Sequence, residues 1–205
     1  MDKIVLCIDN KNLHLEETKK YLGLHGCKVY TLYKEEKDME ALCEKIEQEE
    51  GKIDLLLMGI DEQIPQDGAI GEKHDCERLL EVLSQQINRA QEAIEAALPL
   101  LRRGDLKRIG MLTKKDSSIG RCREDSDYGR HMAWAGLNML GKLYFNQLRP
   151  EGFTFRWYCT EEERGGMSAG EYLLSGFCYD AGEPYQHSDE NRFVMRDAHL
   201  KEIVW

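Results

Sequence analysis

Short apolar runs alternate with longer amphipathic stretches along this chain. Ile4-Val5-Leu6-Cys7-Ile8 is a continuous apolar run, the pattern of a strand buried on both faces. The polar turn Asp9-Asn10-Lys11-Asn12 leads into a helix predicted to reach about Leu24 and to be closed by Gly26, and residues 29–33 read as a second strand. Residues 34–50 are densely charged, with Met39, Leu42, Cys43 and Ile46 as one apolar stripe, which predicts an amphipathic helix with a solvated outer face. A turn at residues 51–54 enters the strand 55–58, and residues 61–73, with Pro65, Gly68 and Gly71, read as a loop.

The second half repeats this alternation. In a helix predicted over 74–103, Cys76, Leu80, Leu83, Ile87, Ala90, Ile94, Ala97 and Leu101 form a regular seam that can pack on a sheet or on a second copy. After the strand Arg108–Thr113 and a polar loop, a helix is predicted over Tyr128–Leu148. Met132, Ala135, Met139, Leu143 and Leu148 are its expected buried face, and Pro150 with Gly152 stops it before a strand over 153–158. Ser168 and Glu171 form a capping box for a short helix through Tyr172, Leu173, Leu174 and Phe177. Residues 192–196 and 201–205 read as a strand pair, with Trp205 an anchor on the body. Strand–helix–strand repeats of this kind build a parallel α/β sheet whose ligand crevice lies at the carboxyl ends of the strands, and Tyr128 belongs at that crevice.

The chain has 205 residues, 41% hydrophobic and 32% charged, enough for one well-buried domain over 1–205. A formal charge of −10 opposes nucleic acid or anionic lipid as partner, since both require a basic face. No apolar run approaches the ~20 residues of a membrane span, and Met1-Asp2-Lys3 leads into a strand and not a signal peptide, so the expected location is cytoplasmic. The seven cysteines are odd in number and widely spaced, and several lie within apolar patterns, which predicts reduced, buried side chains and not a disulfide framework. His74-Asp75-Cys76 and the acidic turn from His187 to Glu190 contain metal-type ligands without a partner pair at zinc spacing, so no metal is expected. Neither a Gly-x-Ser-x-Gly elbow nor a phosphate-loop Gly-Lys-Ser/Thr pair occurs.

The run from Tyr128 through Met132, Leu137 and Asn138, followed by Leu148-Arg149-Pro150-Glu151-Gly152, resembles the active-site helix and following turn of the short-chain dehydrogenase/reductase family. The resemblance implies a three-layer Rossmann-like α/β fold with a mainly parallel sheet, over a family-like core at 1–160 and a divergent lid and tail at 161–205. Its departures are specific. Met132 stands where the family's Tyr-x-x-x-Lys has lysine, and Asp9, Leu13 and Leu15 stand at the glycine positions of its first loop. Leu13 and Leu15 are expected to put bulk, and Asp9, Glu16 and Glu17 negative charge, where a pyrophosphate would approach the helix N-terminus. Met58-Gly59-Ile60-Asp61 replaces the family's Asn-Asn-Ala-Gly. Between Val29 and Asp54 there is room for one strand and one helix where the family has two of each, which shortens the sheet at one edge and removes part of the adenine pocket.

In the family a tyrosine acts as general acid/base beside the lysine, and a serine on the preceding strand holds the substrate oxygen. The resemblance therefore points to Tyr128, with His131 on the same helical face as a substitute cation and Ser117 as a hydroxyl near the spacing that falls on Lys114 or Lys115. A phenol with a pKa near ~10 is a poor base at neutral pH without a cationic neighbour. A helix-surface histidine is ordinarily solvated, and a loop hydroxyl ordinarily caps a turn. The leading expectation is a degenerate relative that binds no cofactor and acts by binding or assembly, as a homo-oligomer through helices 74–103 and 128–148 or with a related dehydrogenase subunit. The second is an NAD(P)-dependent oxidoreductase with rearranged groups centred on Tyr128.

Overall fold

A computed structural model describes residues 2–33, 38–64, 75–160, 165–176, 178–179 and 187–205. The elements are β1 (Lys3–Ile8), α1 (Leu15–Leu24), β2 (Cys27–Leu32), α2 (Met39–Glu49), β3 (Leu55–Gly59), α3 (Cys76–Leu83), α4 (Arg89–Arg103), β4 (Arg108–Thr113), α5 (Tyr128–Leu148), β5 (Thr154–Cys159), α6 (Ala169–Leu174), β6 (Cys178–Tyr179), β7 (His187–Ser188), β8 (Met195–Arg196) and β9 (Glu202–Ile203). Seven strands form one sheet in the order β2-β1-β3-β4-β5-β8-β9, parallel throughout except for the antiparallel β8–β9 pair. β6 and β7 pair separately. Because β2 lies on one side of β1 and β3 on the other, the chain reverses its winding at β1, and the switch point falls at the carboxyl ends of β1 and β3. β2 is the edge strand, as the short interval between Val29 and Asp54 implied.

Helices cover both faces. α2, α4 and α5 pack one face through Ile46, Ile94, Leu101, Trp134 and Phe145, and α1 and α6 pack the other through Leu15, Leu22, Tyr172 and Leu173. β1 from Ile4 onward and the whole of β3 are apolar and buried, as strands covered on both sides must be. Cys7, Cys27, Cys43 and Cys159 are free and buried as expected, whereas Cys76 is free and exposed and Cys122 free and half-buried, and burial pushes the Cys43 thiol up to about 11. Among the described residues, no helix is long and apolar enough to cross a membrane.

Two helix faces differ from expectation. In α5 the buried residues are Gly129, Ala133, Trp134, Leu137, Asn138, Gly141, Tyr144, Phe145 and Leu148, while Met132, Met139 and Leu143 are 48%, 61% and 58% exposed. Small residues decide the orientation. A Cβ on Gly141 would come within 2.3 Å of Trp157, and one on Gly136 within 2.6 Å of Ile87, so this side can lie close to the sheet and to the neighbouring helix. The long rod 76–103 contains a π-turn at Ser84–Asn88 between α3 and α4. One extra residue turns the helix by about 100°. Ala90, Ile94, Ala97 and Leu101 therefore lie on the sheet as the seam predicts, but on the other side of the turn Val82 and Gln86 take the buried positions and Leu80 is left 65% exposed.

The tail is tied to the sheet by charge. Arg108, Arg156 and Arg196 are all buried. Arg108 and Arg156 share Glu190, at 2.8 and 2.5 Å, and Arg196 makes a two-point pair with Asp189 at 2.8 and 3.0 Å. Burial, then the like charge of Arg156, lowers the Arg108 pKa to about 10 against the pull of Glu190. β8 and β9 form the expected pair, and the Trp205 ring stacks on Phe193 at 4.8 Å. α6 opens with the expected capping box and ends at Leu174. Phe177, Pro65, Gly68, Gly71 and His74 lie outside the described residues.

Candidate functional site

The crevice expected at the carboxyl ends of β1, β3 and β4 is bridged by side chains. After β1 the chain turns with Asp9 Oδ1 accepting the Lys11 N–H at 2.8 Å, and Lys11 takes a left-handed φ of 62°. Asn12 is buried, accepts the His14 N–H at 3.1 Å and donates to the Ile60 carbonyl at 3.2 Å. Its Cβ lies where a side chain on Gly59 would begin, 2.6 Å from that ideal position, so glycine is required there. Asn10, also buried, donates to the Gly59 carbonyl at 3.3 Å. Two amides thus sew the β1–α1 turn to the turn after β3.

A third loop joins them. Glu62, its side chain 4% exposed, accepts the Leu13 N–H through Oε1 at 3.2 Å and holds the Lys114 ammonium against Oε2. That ammonium approaches off the hydrogen-bonding direction, so the contact is an ion pair by proximity. Behind the bridge, the Asp61 N–H donates to Gln86 Oε1 at 3.1 Å, and Trp134 Nε1 donates to the Asp61 carbonyl at 3.3 Å. The π-turn is what carries Gln86 inward to that N–H.

Leu13 and Leu15 do not act as expected. Leu15 is buried in the core under α1, and Leu13 points outward at 67% exposure. Bulk in the crevice comes from Asn12, and charge from Glu62 with Lys114. Glu16 and Glu17 occupy the first turn of α1, where Glu16 pairs with Lys19 at 2.5 Å.

Tyr128 opens α5 and is partly buried. Asp127 before it has a left-handed φ of 56° and pairs with Arg130. Met132, one turn on, brings no charge and is half exposed. His131 is not solvated in the way a surface histidine would be. Its Nδ1 lies 3.3 Å from the Asp116 carbonyl and 3.9 Å from Cys122 Sγ, its ring meets Trp134 edge-on at 5.5 Å, and its Nε2 is buried without a hydrogen-bond partner.

Ser117 is buried, accepts from Thr113 Oγ1 at 2.9 Å and Asn138 Nδ2 at 3.0 Å, and donates to the Lys114 carbonyl at 2.7 Å. Asn138 also accepts from Trp157 Nε1 at 3.1 Å. Ser117 therefore knots the 114–118 loop to α5, with its hydrogen-bonding capacity used internally. The loop brings Ser117 and His131 to one flank of α5, through Asn138 and Asp116 respectively. By sequence, Asn10 and Asn12 belong only to a polar turn and Lys114 only to a position near the family's serine spacing, and nothing singles out Glu62 or Gln86. The available signal was polarity: two asparagines in the turn after the apolar run Ile4 to Ile8.

Beside this closed region lies a cavity of about 470 Å³ at the carboxyl ends of β1 and β2, lined by Asn10, Leu32, Met39, Gln85, Gln86 and Arg89 among others. Among the described residues, no group of three or more His, Cys, Asp or Glu side chains could hold a metal ion.

This sheet order, switch point and helical cover are the fold of the short-chain dehydrogenases/reductases. The putative carbonyl reductase Sniffer of Caenorhabditis elegans superposes with a TM-score of 0.75 over 100% of both chains at 13% identity. NADPH-bound carbonyl reductase from chicken fatty liver gives 0.64 over 98% of this chain and 87% of that one at 14% identity. A short-chain dehydrogenase/reductase from Serratia marcescens gives 0.62 over 77% and 73% at 15% identity. No family model and no curated protein matches the sequence. Identities this low carry the fold and not the chemistry of individual residues.

Along the β1–β3 switch point, the residues present do not offer the bare backbone that a pyrophosphate requires. The turn that would have to bring bare backbone to a pyrophosphate is packed against Gly59 by Asn12, and the Glu62 carboxylate accepts the Leu13 N–H.

Proposed function

We propose that this protein has the short-chain dehydrogenase/reductase fold without normal NAD(P)-dependent turnover and acts as a binding or assembly subunit. The observation that carries this reading is the Glu62 bridge, which ties the loops after β1, β3 and β4 together where the fold would seat a dinucleotide. Met132, with no charge to offer the Tyr128 phenol, supports it. Assembly is supported by the outward stripe of Met132, Met139 and Leu143 on α5 beside Leu80 on α3, which are 48–65% exposed. A second copy of the chain, or a related dehydrogenase subunit with the same helical face, is the partner that suits it.

The test is calorimetric titration of the purified protein with NAD⁺, NADH, NADP⁺ and NADPH. The reading expects no saturable heat for any of the four. Saturable binding at micromolar concentration would overturn it.

A second reading is favoured by one observation, the cavity of about 470 Å³ at the ends of β1 and β2, which is placed and sized to take part of a nucleotide. On that reading the protein is an NAD(P)-dependent short-chain oxidoreductase with a rearranged site centred on Tyr128. It requires carbonyl reduction that Tyr128→Phe abolishes.

A further inference from the structure

On the outer flank of α5, away from the switch point, a groove of about 590 Å³ runs between that helix and the β8–β9 strand pair. Its floor is aromatic. Phe193 lies 5.8 Å from Phe145, and Trp205 stacks on Phe193 at 4.8 Å with ring planes 10° apart. Ile119 and Met139 form apolar walls, 85% and 61% exposed. The volume lies within the ~300–1,000 Å³ range of small-molecule sites, which combine apolar walls with a few convergent polar groups.

The polar lining comprises Ser117, Ser118, Asn138, Asn191, the Glu202 carboxylate and three cations, Lys142, Arg149 and Arg192. Lys142 Nζ stands 4.8 Å from the Phe145 ring centroid, and Arg149 Cζ stands 5.7 Å from the same centroid. Among the described residues, neither has a carboxylate within ion-pair distance, whereas Arg192 on the same rim is paired with Glu202 at 2.7 Å. The chain carries 38 acidic and 28 basic residues, so two cations left without an acid over one ring run against its overall balance. The helix dipole accounts for part of this, because Arg149 at the C-cap of α5 is stabilised by it, whereas Lys142 precedes the last turn. It does not account for the concave aromatic floor beneath them.

We propose that this groove binds an anionic amphiphile of small-molecule size. Its carboxylate would sit between Lys142 and Arg149, and its acyl or aromatic body would lie along Phe193, Trp205, Met139 and Ile119. Burying that body supplies affinity in proportion to apolar area, and the two cations select for charge. This site is independent of the reading of the switch point and requires no dinucleotide.

The test uses the full chain and two probes of equal length, octanoate and its neutral counterpart octanamide. Binding is followed by tryptophan fluorescence, with Trp205→Phe identifying the reporting ring. Octanoate is expected to saturate and to bind at least tenfold more tightly than octanamide, and salt should weaken only octanoate. The double variant Lys142→Gln with Arg149→Gln should lose at least tenfold in octanoate affinity while octanamide affinity stays unchanged. Equal binding of the two probes, absence of saturation, or an octanoate affinity indifferent to the double variant would each overturn the proposal. Should the double variant not fold, the octanoate-to-octanamide ratio and its salt dependence on the unaltered chain decide the matter.

Discussion

Glu62 and Lys114 form an asymmetric pair at the carboxyl edge of the sheet: the carboxylate is 4% exposed and the lysine side chain 32% exposed. Their replacements should therefore differ in cost. Glu62→Gln keeps the acceptor for the Leu13 N–H and leaves an ammonium that water can reach, so about 1–2 kcal/mol is expected. Lys114→Met leaves a buried carboxylate without its counter-charge, for which about 3–5 kcal/mol is expected. Urea unfolding of the two variants at neutral pH measures the difference. Equal costs would mean that the pair does not hold the loops together.

Asp54 supplies the acid dependence. Burial resists its ionisation, but N–H donors from Ile4 at 2.9 Å and Asp105 at 2.8 Å, together with Lys52, hold its carboxyl below the usual carboxylate range. A group whose folded pKa is depressed adds stability above its unfolded pKa, near ~3.9, and that stability is lost as pH falls through the folded value. Asp54→Asn should cost about 1–3 kcal/mol at pH 7, and the gap to the unaltered protein should narrow below about pH 4. Urea midpoints at pH 7 and pH 3 test this. A gap that stays constant or widens in acid would show the sign to be wrong.

Much of the fold was legible because continuous apolar runs have one interpretation: Ile4 to Ile8 and Leu55 to Met58 had to be strands covered on both sides. Even the missing edge could be read, from the number of residues between Val29 and Asp54. The orientation of α5 was less legible. Met132, Met139 and Leu143 have a helical period, but so do Ala133, Leu137, Gly141 and Tyr144, and what selects between the two faces is the fit of Gly141 under Trp157. Periodicity does not encode that fit. The π-turn was likewise invisible, because an added residue within a helix leaves no compositional trace. Glu62 and Lys114 were hidden for a different reason: they are distant in sequence, on loops, and surface-like in type, so only the folded chain brings them together.

Gly141 offers a direct trial of packing against propensity. In an exposed helix, Gly→Ala would gain about 1 kcal/mol. Here a Cβ would lie 2.3 Å from Trp157 Cζ2, and that ring is 1% exposed, with its N–H committed to Asn138. Overpacking costs about 1–3 kcal/mol, so the clash wins and Gly141→Ala should be net destabilising by about 1–2 kcal/mol. Gly23, which has nothing within 4 Å of its Cβ position in α1, is the control and should gain stability as alanine. Thermal unfolding of both variants compares them, and a stabilised Gly141→Ala protein would mean that the Trp157 ring yields freely.

The outward face of α5 provides the test of assembly. Residues 128–148 include no acidic side chain, so the exposed stripe of Met132, Met139 and Leu143 is flanked by Arg130 and Lys142. α3 beside it presents Leu80 with exposed Glu77 and Glu81. A two-fold arrangement that lays α5 of one copy along α3 of the other pairs apolar with apolar and base with acid, and it is self-complementary as a closed dimer requires. Met132→Lys with Leu143→Lys should then convert a dimer into a monomer in sedimentation velocity. The urea midpoint of the monomer should shift by less than about 0.5 kcal/mol equivalent beyond the loss of mass-action stabilisation, because neither side chain enters the core. Met132 and Leu143 do not line the groove between α5 and the β8–β9 pair, but Met139 and Lys142 belong to both surfaces, so the monomer should bind octanoate at least as tightly as the dimer. An unaltered chain that sediments as a monomer at tens of micromolar would remove the homodimer and leave a related subunit as the partner to be sought on this face.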